Sequence, residues 1–412
     1  MATKYFYRLA ALSLVIALFT GANLGAQAIT PAIVTKPMTL ISNLDSGASA
    51  QGLLVKKELI YLFGTSAGAD NSDGYVQSIS PTGEIQWTLP LDTGGDDIAT
   101  AGSLDSFGNI WVAGSSVLNP SVGEPVSSDP SSALNPDSIT LTPKIPLRSD
   151  LKLVTIWLIS PQGNLLATYS TNVGRAVLAR AITVTNTTVS IVGIASTTLG
   201  NSGFLIQGTR KGSFSKILLI GKSGTEINSI TKRGANLVLL GGSSETLFGK
   251  ARAAERDAIL LSFTSSGKFL SIIRSSDAGS SRTWQSGTPT ILVGGDAITG
   301  AKSEAVVTKY SAKFTPIWTT RYPSAGVALT LDTLASAQIF FSSIGPVTGV
   351  KYWNPAKAQL LSLIFDKKGL LTGAFSVKGA TSPIAVGFSR ELGAVLLSRG
   401  QAGVSVFRTL TM

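Results

Sequence analysis

The sequence of 412 residues contains no histidine and no cysteine, and both absences narrow the chemistry open to it. Without histidine there is no Ser-His-Asp triad, no imidazole general base and no imidazole metal ligand. Without cysteine there is no thiol nucleophile, no thiolate zinc site, no disulfide and no lipid-attachment cysteine. No Gly-x-x-x-x-Gly-Lys-Ser/Thr phosphate loop occurs. Carboxylate chemistry is what remains for catalysis or metal binding.

Charge is also scarce, because only 14% of the residues are charged whereas 44% are hydrophobic, and mean hydropathy is +0.30. A stacked-sheet architecture accommodates this composition, since it buries both faces of most strands. The 43 glycines suit tight turns and crowded inner strands. A chain of this length also builds a core large enough to be stable without disulfides or metals.

The N-terminus has the three parts of a secretory signal peptide. Lys4 and Arg8 precede an apolar stretch at 9–19, and Ala26-Gln27-Ala28 offers a small-x-small cleavage site. We therefore expect residues 1–28 to be removed by cleavage after Ala28, and residues 29–412 to act outside the cytoplasm: secreted, periplasmic or at the cell surface. An uncleaved anchor is the alternative, although the strongly apolar part is shorter than the ~20 residues that span a bilayer.

The chain is basic, with a net charge of +11. Removing residues 1–28 takes away two cations and leaves 32 cationic and 23 acidic residues, a net charge of +9. One interpretation is attraction to an envelope polyanion such as a wall polymer, an acidic glycan or lipid headgroups. The other is a generally basic surface without a defined site. Nucleic acid is disfavoured, because no basic strip with interleaved aromatics occurs.

A repeated unit extends along almost the whole chain. Each copy has an apolar strand that ends in a small residue, and successive ends lie 50, 79, 48, 53, 48 and 56 residues apart. These small residues are Gly64, Gly114, Gly193, Gly241, Gly294, Ser342 and Ser398. The long step contains a Pro-rich stretch at 117–150 with little apolar periodicity, which indicates a loop insertion. Each step has room for four short strands.

Seven repeats of four strands predict an all-β fold, a seven-bladed β-propeller in one domain at 29–412. The first strand pairs are expected at 50–64, 98–114, 177–193, 226–241, 286–294, 325–342 and 383–398. The second pairs are expected at 74–91, 153–170, 204–220, 258–273, 305–322 and 359–377. The last blade lacks a strand, so we expect an N-terminal strand at 37–42 to pair beside 404–410 and close the ring.

The clearest copy, at 73–116, resembles the bacterial β-propeller repeat called SBBP. The matching residues are Asp73, Tyr75, Val76, Pro81, Gly83, Trp87, Gly94, Gly95, Asp96, Asp97, Gly108, Asn109, Ile110, Val112 and Gly114. The segment SPTGEIQW also resembles the strand-turn-Trp element of quinoprotein-like propellers, and 311–318 repeats its Ser-to-Trp spacing. The resemblance implies the fold, and propellers serve many functions.

Two kinds of candidate site residue stand out. Asp92, Asp96 and Asp97 in LDTGGDD could offer oxygen ligands to calcium, although Asp beside Gly is also an ordinary turn former and no distal bidentate Glu follows. We therefore expect no cofactor, with calcium as the alternative. Trp284 and Trp353 lie outside the clean strand patterns and are candidates for an exposed ligand face; the alternative is that each covers a blade edge. Trp87 and Trp318 share a repeat position and are expected to pack between blades.

These features predict a monomeric, non-enzymatic binding or scaffolding module at the cell envelope, with a glycan, polyanion or protein as partner. Its binding surface would be formed by interblade loops and the mouth of the central channel, shaped by the insertion at 117–150. A polysaccharide lyase or glycosidase that uses Asp, Tyr or Arg is the alternative. A quinone-dependent dehydrogenase is a third hypothesis, which depends only on the SPTGEIQW turn.

Overall fold

Strands and turns make up all the regular structure that the described residues contain. The structure is a computed structural model, and it describes residues 32–44, 48–67, 71–117, 147–333, 336–401 and 403–409. Across these ranges there is no helix of any length, and hence none that could cross a membrane. The N-terminal segment begins with three short strands, β1 (Ile33–Val34), β2 (Lys36–Pro37) and β3 (Thr39–Asn43).

Together with β3, all the later strands except β26 form seven four-stranded antiparallel blades, as the repeat predicts. From the innermost strand outward, blade 1 contains β4 (Ala48–Lys56), β5 (Leu59–Ala67), β6 (Ser72–Ile79) and β7 (Ile85–Leu91). Blade 2 contains β8 (Asp97–Leu104), β9 (Ile110–Val117), β10 (Leu151–Ile159) and β11 (Leu165–Asn172). Blade 3 contains β12 (Val177–Val184), β13 (Thr188–Thr197), β14 (Gly200–Thr209) and β15 (Leu218–Ile220). Blade 4 contains β16 (Thr225–Arg233), β17 (Asn236–Ser243), β18 (Asp257–Thr264) and β19 (Phe269–Ser275).

Blade 5 contains β20 (Ser281–Gly287), β21 (Leu292–Thr299), β22 (Lys302–Tyr310) and β23 (Pro316–Pro323). Blade 6 contains β24 (Leu329–Asp332), β25 (Ala337–Ser343), β27 (Gln359–Phe365) and β28 (Leu371–Val377), with the short β26 (Val350–Lys351) in its long connection. Blade 7 contains β29 (Ala380–Ser389), β30 (Gly393–Gly400), β31 (Gly403–Arg408) and, outermost, β3. The first strand pair of blade 5, predicted at 286–294, is longer than predicted, because β20 and β21 span 281–299.

The N-terminal strand closes the ring, as the sequence predicts. β3 pairs antiparallel with β31, with Thr39 opposite Arg408 and Asn43 opposite Ser405. The segment before it makes two further pairings that the sequence did not indicate. β2 runs parallel to the outer edge of β28, and β1 runs parallel to β26. The N-terminal segment therefore covers the exposed edge of blade 6 before it completes blade 7.

Apolar side chains fill the gaps between blades. The described residues form seven hydrophobic clusters, one between each pair of neighbouring blades, including the gap between blades 7 and 1. Trp111, Trp157 and Trp284 are among the largest fully buried side chains. Trp87 and Trp318 also pack between blades, as predicted, since each indole covers the turn glycine of the next blade, Gly163 or Gly369. Each blade thus buries both faces of its sheet, which explains the high hydrophobic content.

The two ends of the blades carry different connections. Within a blade, the turns from the first to the second strand and from the third to the fourth lie at one end, here called the lower face. The upper face holds the connections from second to third strands and from blade to blade. Side chains link lower turns of neighbouring blades: Lys56 Nζ donates to the Phe107 carbonyl (3.4 Å) and Arg233 Nη1 to that of Ala312 (2.9 Å).

A β-bulge at the same level of the innermost strand recurs in six of the blades. The extra residues are Gln51, Thr100, Arg180, Asn228, Gln285 and Ile384. A bulge turns its extra side chain away from the regular alternation and displaces the adjacent carbonyl. The side chain of the bulged residue is therefore free to serve a purpose other than core packing.

The bulge explains the small residues that mark the repeat. A Cβ on Gly64, Gly114, Gly193 or Gly241 would collide with a displaced carbonyl oxygen of the inner strand of its own blade. In blade 5 the residue in this position is Gly295, opposite Trp284, and not Gly294 as the repeat alignment indicates. Blade 6 tolerates Ser342, because its inner strand begins only at Leu329, which pairs with Phe340.

Candidate functional site

A cleft of about 430 Å³ opens on the upper face between blades 2, 3 and 4. Ile98, Leu178 and Ile194 provide an apolar floor, and four charged side chains stand around it: Arg148, Arg180, Glu226 and Arg256. Leu147 and Arg148 lie near the C-terminal end of the predicted insertion, directly after residues 118–146, and both line this cleft. The cleft is lined by interblade loops, where the sequence analysis expects a binding surface, and binding there stays a prediction. Residues 118–146 of the insertion lie outside the described residues.

Arg256 holds one wall of the cleft in place. It forms an ion pair with Glu226, and its guanidinium also donates to the carbonyls of Gly224 and Gly242 (3.1 Å each) and to Thr283 Oγ1 (3.1 Å). These bonds connect blade 4 to the inner strand of blade 5. Most donors of Arg256 are therefore occupied within the protein, and we assign it a positioning role rather than ligand contact.

Glu245 shapes the same wall by holding the connection between blades 3 and 4. Its carboxylate accepts hydrogen bonds from the backbone amides of Lys222 (2.9 Å) and Gly224 (3.1 Å) and from Thr225 Oγ1 (2.7 Å). Burial opposes its ionisation, but these donors outweigh burial and lower the pKa of Glu245. The backbone that lines the cleft is thereby fixed before any ligand arrives.

Arg148 anchors the end of the insertion. It forms ion pairs with Asp96, from the connection between blades 1 and 2, and with Asp150. Asp150 and Asp96 raise the pKa of Arg148, and the hydrogen bond from Arg148 in turn lowers the pKa of Asp150. Asp96 also accepts a hydrogen bond from the Ser72 amide at 2.6 Å. Asp96 therefore holds the end of the insertion against the connection between blades 1 and 2.

Arg180 differs from the other charged residues because it makes no hydrogen bond or ion pair with any described residue. It is the bulged residue of β12, and it is exposed. Equivalent residues in two other blades donate to the next inner strand: Thr100 Oγ1 to the Ala179 carbonyl (2.6 Å) and Asn228 Nδ2 to that of Trp284 (3.1 Å). Arg180 leaves this structural bond unmade and presents its guanidinium to the cleft.

The electrostatics of the cleft favour an anion. The surrounding protein lowers the pKa of Arg180 and Glu226 opposes that shift, but a guanidinium remains charged at any physiological pH. Glu226 is already paired with Arg256, and Arg148 with two carboxylates. Arg180 is therefore the uncompensated charge among the described lining residues, and it lies beside the apolar floor of the cleft.

The aspartates predicted as calcium ligands are only partly brought together. Asp92 and Asp97 converge with Asp73, and one carboxylate oxygen of each lies within 4.8 Å of the others. Asp96 turns away to Arg148. Asp97 is fully buried and accepts hydrogen bonds from the Thr93 amide (2.7 Å) and from Ser116 Oγ. Burial raises the pKa of Asp73 and Asp97, and neighbouring carboxylates raise it further. Calcium binding stays a prediction, with Asp73 in the place of Asp96.

The prediction that Trp284 and Trp353 form an exposed ligand face is wrong. Trp284 lies in β20 and is completely buried between blades 4 and 5, where Arg282 stacks over its ring at 4.8 Å. Trp353 is buried against the core of blades 5 and 6, and its Nε1 donates to Ser343 Oγ at 2.9 Å. Both tryptophans have polar neighbours in the sequence, which led to the prediction that they lie in surface loops. Ala28, the predicted cleavage site, lies outside the described residues.

Sequence reasoning missed Arg180, Glu226 and Glu245. Arg180 sits within LARAIT, an apolar strand pattern in which a single cation gives no local signal of a site. The position of the bulge is the signal that could have found it. An alignment of the inner strands of the blades places Arg180 at the level of Thr100 and Asn228.

No family model matches the chain, and a search of the curated proteins finds no match. Solved structures do resemble it, and they are β-propellers. An ulvan lyase of a polysaccharide lyase family, bound to -[GlcA(1-4)Rha3S]-, is 12% identical with a TM-score of 0.50, over 92% of this chain and 94% of that one. The β-propeller domain of the trilobed protease from Pyrococcus furiosus is 9% identical with a TM-score of 0.48, over 90% and 97%.

Sqt1 from Chaetomium thermophilum, bound to the N-terminus of the ribosomal protein L10, is 11% identical with a TM-score of 0.44, over 90% of this chain and 100% of that one. At such low identity these likenesses show the propeller fold alone. The resemblance to SBBP repeats stays a prediction.

Proposed function

We propose that the protein is an exported, non-enzymatic binding and scaffolding module of the cell envelope that holds an anionic ligand in the upper cleft. The observation that carries this proposal is Arg180, a guanidinium with no described partner beside an apolar floor. Carboxylate and phosphate groups are the ligands whose geometry a free guanidinium matches best, through paired N–H donors. The ligand class is therefore an acidic glycan or an acidic protein segment.

The fixed wall of the cleft supports a role in recognition. Arg256 and Glu245 hold the backbone at 223–226, and Arg148 holds the end of the insertion. A prepositioned site loses little conformational entropy on binding. The insertion also ends at the cleft, so that its sequence can modify the site without disturbing the blades.

The direct test is a calorimetric titration of the full chain with an oligogalacturonate, and with a neutral galactan oligomer of equal length as the ligand control. Arg180→Gln should weaken binding of the oligogalacturonate by roughly 10- to 100-fold, as expected for loss of a charge-assisted hydrogen bond. Lys222→Gln removes the same charge from an exposed position on the same face, and it should leave affinity within about twofold. Equal losses in the two variants would contradict a defined site.

A second experiment tests the insertion. Replacing residues 118–146 with a short Gly-Ser linker retains Arg148 and its ion pairs with Asp96 and Asp150. The β spectrum of the protein should be unchanged while affinity for the acidic oligomer changes. Loss of the folded spectrum would show that the insertion belongs to the framework of blade 2.

One observation favours the alternative, an enzyme that acts on polysaccharides. Asp296 lies close enough to Glu226 and Arg256 for their charges to interact, and burial raises its pKa to about 6. A carboxyl with a raised pKa near a second carboxyl is a feature that glycosidases use for their general acid and its partner. Release of reducing ends from the oligomer, abolished by Glu226→Gln, would replace the binding proposal with this one.

A further inference from the structure

Exposed aliphatic side chains recur near the lower face, in six of the seven blades. Each lies at the lower end of the outermost strand, at or next to its first residue, and each is 46–60% exposed. The residues are Leu40, Ile85, Leu165, Leu166, Leu270, Ile317 and Leu370. The other exposed aliphatic side chains among the described residues show no such recurrence. The seven form a belt around the rim of the lower face.

For two residues of the belt, the backbone geometry itself accounts for the exposure of the side chain. Leu270 and Ile317 are the extra residues of β-bulges in β19 and β23, opposite register shifts at Ser262/Phe263 and Lys309/Tyr310. The bulge turns these side chains out of the alternation that faces the core. Their apolar surface is therefore not required for packing between blades.

In three consecutive blades an exposed lysine precedes the exposed aliphatic residue by two to four positions: Lys268 with Leu270, Lys313 with Ile317, and Lys368 with Leu370. In blade 3 the exposed Lys216 precedes the exposed Leu218 by two positions, but further from the lower turn, since Leu218 pairs with Leu205. None of these lysines forms an ion pair with a described residue. The upper face is different, because nearly all the ion pairs of the described residues lie there, for example Arg274 with Asp257 and Arg321 with Asp277.

We propose that the lower face at blades 3 to 6 docks on an anionic lipid bilayer. Aliphatic side chains that enter the interfacial region, each beside a lysine that reaches a headgroup, are the two elements of peripheral membrane binding. Unpaired lysines are attracted to an anionic surface and repel one another, which disfavours a second copy of this chain as the occupant. The arrangement directs the upper cleft away from the bilayer, toward a ligand outside it.

The test is sedimentation of the full chain with vesicles of phosphatidylcholine alone, and with vesicles that contain about a third phosphatidylglycerol. Any contribution of the N-terminal segment is common to all variants and cancels. A variant with Lys216, Lys268, Lys313 and Lys368 changed to Gln should bind the anionic vesicles at least about 100-fold more weakly, since each lysine near such a surface is worth roughly a factor of five.

The matched control changes four exposed lysines of the upper face to Gln: Lys152, Lys222, Lys357 and Lys378. It carries the same net charge and should bind the vesicles like the wild type. Equal losses in the two quadruple variants would show that only net charge matters and would overturn the proposal. Failure of the wild type to prefer anionic vesicles would overturn it as well.

A second variant tests the aliphatic part. Leu270→Ser with Ile317→Ser alters two exposed side chains, so the fold should be retained. Binding to the vesicles should weaken severalfold. The binding that remains should become more sensitive to salt, because only the electrostatic attraction is left. Unchanged binding would refute insertion of the belt. Arg180→Gln should leave vesicle binding intact, so the cleft and the membrane face succeed or fail separately.

Discussion

The close approach of strands at Gly114 makes a quantitative prediction about stability. A Cβ at this position would overlap the carbonyl oxygen of Ile98 and lie 2.9 Å from its carbon and 3.0 Å from Trp157 Cζ3. The backbone on one side and a fully buried indole on the other leave little room to relax. Overpacking of this kind costs about 1–3 kcal/mol, or more where the surroundings are rigid, and the smaller chain entropy of alanine returns about 0.4–1 kcal/mol.

Because the surroundings are rigid, we take the upper end of this cost and expect Gly114→Ala to lower the free energy of unfolding by about 2 kcal/mol. For roughly 380 residues that unfold together, this corresponds to a decrease of about 3 °C in the unfolding midpoint. The measurement is urea denaturation followed by tryptophan fluorescence. Gly326→Ala is the control, because its Cβ would meet nothing within 4 Å and its φ is ordinary. Equal stability of both variants would refute the bulge as the reason for the repeated glycines.

Three further predictions concern charge and ring closure. The raised pKa of Asp296, about 6, means that the folded state opposes ionisation of this carboxyl. Asp296→Asn should therefore be more stable than the wild type above pH 6, by as much as about 3 kcal/mol. This advantage should fade as the pH falls toward 4. Burial opposes ionisation of Asp105, but hydrogen bonds from Trp111, Asn109 and Arg210 outweigh it and hold the pKa of Asp105 at about 2. Asp105 should therefore contribute about 2 kcal/mol to the free energy of unfolding above pH 4, and this contribution should be lost as the pH falls toward 2. In Asp105→Asn, the free energy of unfolding should depend less on pH between 4 and 2. A chain that begins at residue 44 lacks β3, so blade 7 loses its outermost strand, and calorimetry should show a lower and broader transition than for a chain that begins at residue 32.

The blades were predictable because their signals are local. Alternating strands, Pro-x-Gly turns and a small residue at each strand end recur within one blade, so each copy reinforces the others. The missing strand of the last blade also left a single place for the spare strand near residue 39. The sequence did not reveal β1 and β2, which pair parallel to distant strands and follow no repeat.

The site was less predictable because it depends on where side chains point. Trp284 looks exposed beside Ser, Arg and Gln, yet Arg282 is itself buried and stacks over the indole, and Gln285 is the extra residue of the bulge. Asp73 joins Asp92 and Asp97 only after blades 1 and 2 have packed together. Arg180 has apolar neighbours in sequence, and only the bulge turns it into the cleft. Local composition carries none of these orientations.

The bulge position gives a last prediction, which links stability to binding. Thr100 and Asn228 use this position to donate to the carbonyl of the next inner strand, at Ala179 and Trp284. Arg180→Thr should allow the same bond to the equivalent carbonyl of Ile227, adding about 1 kcal/mol to the free energy of unfolding. It should also abolish binding of the acidic oligomer. A stability gain with loss of binding is expected where a residue is retained for function at the expense of the fold. A variant that loses stability, or keeps its affinity, would place the role of Arg180 in the framework of blade 3.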